Sequence, residues 1–99
     1  MLAPSYEKAS KDIMKKVFNT IDAVVDGASI KDNVISVEVP GAGVFVINRQ
    51  PPKREIWLSS PLTGPYHFKS IQNKWIDSRG RDLLSIISKE ILNSEHTLE

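Results

Sequence analysis

Apolar residues spaced three and four apart open the chain: Tyr6, Ala9, Ile13, Val17, Ile21 and Val24 share one side of a helix that follows Pro4 and the capping candidate Ser5. The spacing predicts one amphipathic helix from about Ser5 to Asp26, stopped by Gly27. The period then changes. After a short Ala28 to Ile30 segment, Ile35, Val37 and Val39 alternate with Val34, Ser36 and Glu38, the two-residue repeat of a half-buried strand. Pro40 and the Gly41 to Gly43 run turn the chain into a second strand, Val44 to Gln50, and Pro51-Pro52-Lys53-Arg54 turns it into a third, Glu55 to Ser60. These strands form an antiparallel meander. Pro61 to Pro65 reads as a loop, with Tyr66 to Phe68 and Lys74 to Asp77 as short strands. The final helix starts near Arg81 or Asp82 and carries a broad apolar face of Leu83, Leu84, Ile86, Ile87, Ile91 and Leu92. Strands bracketed by terminal helices specify an α+β fold, a two-layer α-β sandwich whose antiparallel sheet is covered on one face by the N- and C-terminal helices. Its core is expected to hold Ile13, Val17, Ile47, Leu58, Leu83 and Ile87.

With 99 residues the chain supports a single hydrophobic core, so one domain over residues 1–99 is expected, ordered from about 5 to 92. Asn93 to Glu99 are polar and aperiodic and are expected to form a flexible tail. The 13 basic and 12 acidic residues leave a net charge of +1, so no global field selects a nucleic acid or a membrane, and neither partner is expected. No apolar run reaches the roughly 18 to 20 residues of a membrane span, and the N-terminus lacks the apolar core of a secretory signal. Four lysines against two acids in the first 16 residues fit a solvated helix face. The lack of cysteine excludes disulfides, thiolate metal sites and thiol nucleophiles.

One sheet face has no helix to cover it, and its side chains are the candidate functional ones. If Phe45 and Ile47 point to the core, Asn48 and Gln50 point outward, and across the Pro-Pro turn Trp57 joins them. A large rigid indole flanked by amides has the composition of a protein-binding hot spot. Other constellations are weaker. Ser59 and Ser60 have no histidine-acid partner at a suggestive spacing, His67 and His96 are far apart in sequence, and Arg79-Gly80-Arg81 reads as a basic turn before a helix cap.

The run from Gly43 to Pro65, GVFVINRQPPKREIWLSSPLTGP, closely resembles the signature of the frataxin family in its eukaryotic form, and weaker resemblance extends from Tyr6-Glu7 through Lys74-Trp75 to the last helix. The resemblance implies an α-β sandwich with two helices on one sheet face. It also implies an accessory factor of iron-sulfur cluster assembly that binds the cysteine desulfurase and scaffold complex, promotes sulfur transfer and holds iron weakly, like a chaperone. Asn48, Gln50 and Trp57 match the family's partner-binding residues. His67 stands where eukaryotic relatives usually have an arginine, so a permanent charge is replaced by one that changes near neutral pH. A monomer in the mitochondrion or a related organelle is expected, with labile iron and no organic cofactor.

The family's acidic ridge is thinned in this chain. From Ser5 to Asp26, Glu7, Asp12, Asp22 and Asp26 are balanced by Lys8, Lys11, Lys15 and Lys16. The candidate iron ligands are Asp22 and Asp26, four apart on the expected helix, with Asp32 just beyond: hard oxygen donors suited to a weak site. A ferroxidase has been proposed within the family, but no histidine-carboxylate cluster is legible. The competing reading is a double-stranded RNA-binding module, which shares the order helix, three-stranded meander, helix, with Arg79 and Arg81 near its phosphate-contacting end.

Overall fold

The structure, a computed structural model, describes Ser5 to Leu92; the tail expected over residues 93–99, with His96, lies outside the described residues. Helix α1 runs Tyr6–Asp22, followed by β1 (Ala28–Lys31), β2 (Val34–Val39), β3 (Gly43–Gln50), a 3-10 turn (Pro51–Lys53), β4 (Glu55–Ser60), β5 (Gly64–Ile71), β6 (Lys74–Ile76) and α2 (Leu83–Ile87), which continues as a wider π turn, Ser88–Leu92. The six strands pair antiparallel in chain order, β1-β2-β3-β4-β5-β6, and the two helices lie over one face. The expected sandwich is therefore observed, with a sheet of six strands. The helix, three strands, helix order that suggested an RNA-binding module is not the order observed.

Alternation decides the covered face. Ile35, Val37 and Val39 from β2, Phe45 and Ile47 from β3, Ile56 and Leu58 from β4, and Tyr66 and Phe68 from β5 all point under the helices and are buried. From the helix layer come Met14, Val17 and Ile21, then Leu83, Ile86, Ile87 and Ile91. Five of the six expected core residues are buried; Ile13 is not. The inward line of α1 is Ser10, Met14, Val17 and Ile21, so Tyr6, Ala9 and Ile13 sit half-buried at its flank.

Differences from expectation have local causes. Helix α1 stops at Asp22, four residues early, because both Val24 and Val25 donate backbone N–H to the Ile21 carbonyl, 3.0 and 2.8 Å away, in a closing turn. Two β-branched residues ahead of Asp26-Gly27 give little reason to extend the helix. Val24, expected inside, is 60% exposed. Gly27 is then required by close approach: a Cβ there would lie 2.6 Å from the Glu38 carbonyl oxygen. The segment after it is a strand, β1, paired from Ala28↔Val37 to Lys31↔Val34. The β1–β2 and β5–β6 turns each place two residues at positive φ, Asp32-Asn33 and Gln72-Asn73, the geometry of a tight hairpin. That second hairpin extends β5 to Ile71, past the expected end at Phe68.

Polar anchors fix the layers. Ser5 caps α1, its oxygen accepting the Lys8 N–H, and Asp82 caps α2 by accepting the Ser85 N–H. Glu90, buried under the π turn, accepts the hydroxyls of Ser60 at 2.6 Å and Thr63 at 2.8 Å, which joins the last turn to the β4–β5 loop. Asp77 gathers the backbone N–H groups of Arg79 and Arg81 on one oxygen and the Arg81 guanidinium on the other. The Arg81 guanidinium also lies 4.6 Å over the Tyr66 ring, so the Arg79-Gly80-Arg81 turn is an internally satisfied cap.

Candidate functional site

The sheet register builds a row across the open face. Val34 opposes Asn48, Asn48 opposes Trp57, and Trp57 opposes His67, so side chains from four adjacent strands stand in line. The next row sets Gln50 opposite Glu55. Asn48, Gln50, Trp57 and His67 thus share one face, with Gln50 one row from the other three.

Trp57 is held on several sides. Its ring stacks on His67 with centroids 4.1 Å apart and planes 8° from parallel. Its indole Nε1 donates to Glu55 Oε1 at 2.7 Å, and Asn48 flanks it on the β3 side. The indole is therefore half-buried rather than fully exposed. Such locking removes rotamer freedom before any partner arrives, so less entropy is lost on docking.

Glu55 is the residue that sequence reasoning missed. Its other oxygen meets the Lys69 ammonium at 3.1 Å, and His67 Nδ1 lies 3.9 Å from Oε1. The Trp57 N–H hydrogen bond, aided by Lys69 and the nearby His67, holds the Glu55 carboxyl below the usual glutamate range although burial works the other way. The available signal was position: Glu55 is two residues before Trp57 on a strand, hence on the same face. Farther along, the hydrogen bonds from Arg81 and the backbone of Arg79 outweigh burial and keep the Asp77 carboxyl low as well.

The three aspartates do not come together as a metal site. Asp22 is the last helical residue, Asp26 lies in the loop beyond the helix end, and Asp32 occupies the hairpin turn at the far end of β1, a strand length of about 13 Å on. Among the described residues no three of His, Asp or Glu gather into a group able to hold a metal ion. The face shared by Asp22 and Asp26 depended on a helix reaching Asp26, and the closing turn at Ile21 removes it. These residues do not fit a resident iron centre.

The arrangement defines a class: a small two-layer α-β sandwich with a preorganised aromatic and amide surface on its open sheet face. Residues 2–96 match the model of the frataxin-like domain. The chain is 29% identical over 94 residues to the mitochondrial frataxin homolog of Saccharomyces cerevisiae, covering 87% of this chain and 54% of that protein. It is 44% identical over 77 residues to the iron-sulfur cluster assembly protein CyaY of Vibrio cholerae, covering 71% of this chain and 73% of that protein. A crystal structure of trimeric yeast frataxin complexed with ferrous iron superposes with a TM-score of 0.80 at 26% identity, covering 95% of this chain and 88% of that one. The chain belongs to the frataxin family. It spans about half the length of the yeast relative it matches.

Proposed function

We propose that this protein is an accessory factor of iron-sulfur cluster assembly that docks its open sheet face on a complex of cysteine desulfurase and scaffold protein and promotes sulfur transfer there. The observation that carries the reading is the row Asn48, Trp57, His67, with the indole fixed by Glu55. Family membership and the assembly role named for the Vibrio relative support it. The physical contribution is selective binding. A rigid indole and two amides that fit one conformation of the complex better than its alternatives shift the population toward that conformation, and a transfer step limited by that population then runs faster.

Iron enters this reading as cargo. Exposed carboxylates such as Asp22, Asp26 and Asp32 act singly, each offering one or two oxygens, so association is weak and exchange fast. The mitochondrial location of the yeast relative supports a place in the mitochondrion or a related organelle. The protein docks as a monomer, a reading that sedimentation with and without ferrous iron tests against the trimeric yeast structure.

The deciding experiment reconstitutes desulfurase and scaffold with the protein and follows sulfide production. Trp57→Ala is expected to stay folded while complex affinity falls by about thirtyfold or more, as hot-spot truncations do. A folded Trp57→Ala variant that stimulates as well as the parent would overturn the assignment of this face.

A further inference from the structure

A second surface lies on the helix side of the sheet, away from Trp57. A groove of about 840 Å3 runs between α1 and the elements beside it, the 3-10 turn and the β5–β6 hairpin. Its floor and near wall are apolar: Tyr6, Ala9, Ile13 and Trp75, with the Tyr6 and Trp75 rings edge to face at 6.1 Å. Ala9 and Ile13 belong to the apolar stripe of α1, are only partly buried, and line the groove with no element closing over them among the described residues. The rim is basic.

Lys8, Lys16, Lys53, Arg54 and Lys69 line the groove against a single acid, Asp12. Lys8 is paired with Asp12 at 3.0 Å and Lys69 with Glu55 at 3.1 Å. Lys16, Lys53 and Arg54 are exposed and form no ion pair among the described residues. Three exposed cations without an ion pair among the described residues thus line a groove with an apolar floor, Lys16 on the helix, Lys53 in the turn and Arg54 capping it.

We infer that this groove receives an acidic segment of a partner protein, one that carries apolar side chains among its carboxylates. Charge complementarity selects the sign of the occupant. The apolar floor selects a peptide over a nucleic acid, since phosphate binding needs a basic track and gains little from Ala9 or Ile13, and the net charge of +1 supplies no long-range attraction for a polyanion. The proposal does not rest on the Trp57 face, although Lys69 of the rim also pairs with Glu55 there, and it gives the protein a second contact surface.

The test is an NMR titration of the isotope-labelled full chain with a synthetic peptide in which glutamates alternate with leucine and phenylalanine. Shift changes are expected around Ile13, Lys16, Lys53, Arg54 and Trp75, with affinity falling as salt rises. Exchanging the peptide's glutamates for glutamine, or its leucines and phenylalanines for serine, should each weaken binding about tenfold. Reversing the rim with Lys16→Glu, Lys53→Glu and Arg54→Glu should also abolish most of the binding, whereas Lys16→Arg with Lys53→Arg should retain it. These residues are exposed, so an unchanged denaturation midpoint verifies that the variants fold. Trp57→Ala should leave peptide binding intact, which separates this result from any failure of the docking face. Equal binding of the glutamine peptide, or shifts absent or centred on Trp57, would overturn the proposal. So would tighter binding of duplex RNA at the same residues, or concentration-dependent shifts there without peptide, which would assign the groove to a nucleic acid or to a second copy of the chain.

Discussion

Ile47 and Asn48 are neighbours on β3, yet Ile47 is fully buried beneath the helices while Asn48 stands in the open row beside Trp57. On the covered face, Ser60 and Arg49 aside, the sheet is made of branched aliphatic and aromatic side chains whose value lies in volume. On the open face the same strands carry an amide, an indole, an imidazole and a carboxylate whose value lies in hydrogen bonds and stacking. One face answers to packing and the other, on the proposed function, to a partner, so substitutions on them should separate stability from function. The pair of neighbours provides the sharpest test.

The largest effect belongs to the covered face. Ile47→Ala, or Leu83→Ala on α2, should destabilise the domain by about 2 to 5 kcal/mol through lost burial and an unfilled cavity, measured as a shift in the denaturation midpoint. Asn48→Ala should change stability by about 1 kcal/mol or less and instead weaken binding to the assembly complex. If Asn48→Ala unfolds the domain as readily as Ile47→Ala, the division between faces fails.

An acid titration follows in size. Glu55 and Asp77 both have carboxyls held below their ordinary values, so their stabilising contribution is present above the normal carboxylate range and is lost as pH falls through the depressed values. Stability should therefore drop between about pH 5 and pH 2, and Asp77→Asn should flatten part of that drop. Asp77 anchors the turn before α2 and Glu55 anchors the indole. Glu55→Gln should remove part of the same drop and, in addition, alter the Trp57 emission spectrum.

A smaller effect attaches to His67. Its ring stacks on the indole, so His67→Ala should weaken binding to the assembly complex several-fold and leave the denaturation midpoint nearly unchanged. The smallest effect concerns iron. Replacing Asp22, Asp26 and Asp32 together by asparagine should lower an already weak uptake of ferrous ion, followed anaerobically by calorimetry, and should leave partner binding intact.

Much of this architecture was legible from alternation. The third expected strand, Glu55 to Ser60, is β4 residue for residue, because strong turn formers bound it on both sides. β1 was not legible: four residues at the sheet edge, with only Ala28 half-buried, show no alternation, and β2 makes them a strand by pairing. The Asp32-Asn33 turn was the signal to heed, since those residues tolerate positive φ. On α1, period alone could not choose between the Ile13 and Met14 flanks, because the choice depends on how the helix rolls on the sheet. Alternation likewise put Asn48, Gln50 and Trp57 on one face, while the family resemblance supplied His67. Alternation could not reveal that His67 stacks on the indole or that Glu55 holds it, since those contacts arise from side-chain directions on two adjacent strands.

Strand order that equals chain order has a kinetic consequence. Residues 48–67 contain Asn48, Trp57 and His67 of the open row, and two adjacent hairpins with short loops bring these together at little loop-closure cost. The core obeys a different schedule, because the helices that seal it lie at opposite ends of the described chain and α1 must wait for partners such as Trp75, which contacts Tyr6. The open row is thus assembled from short-range closures, and docking of the two end helices that seals the core is expected to follow it.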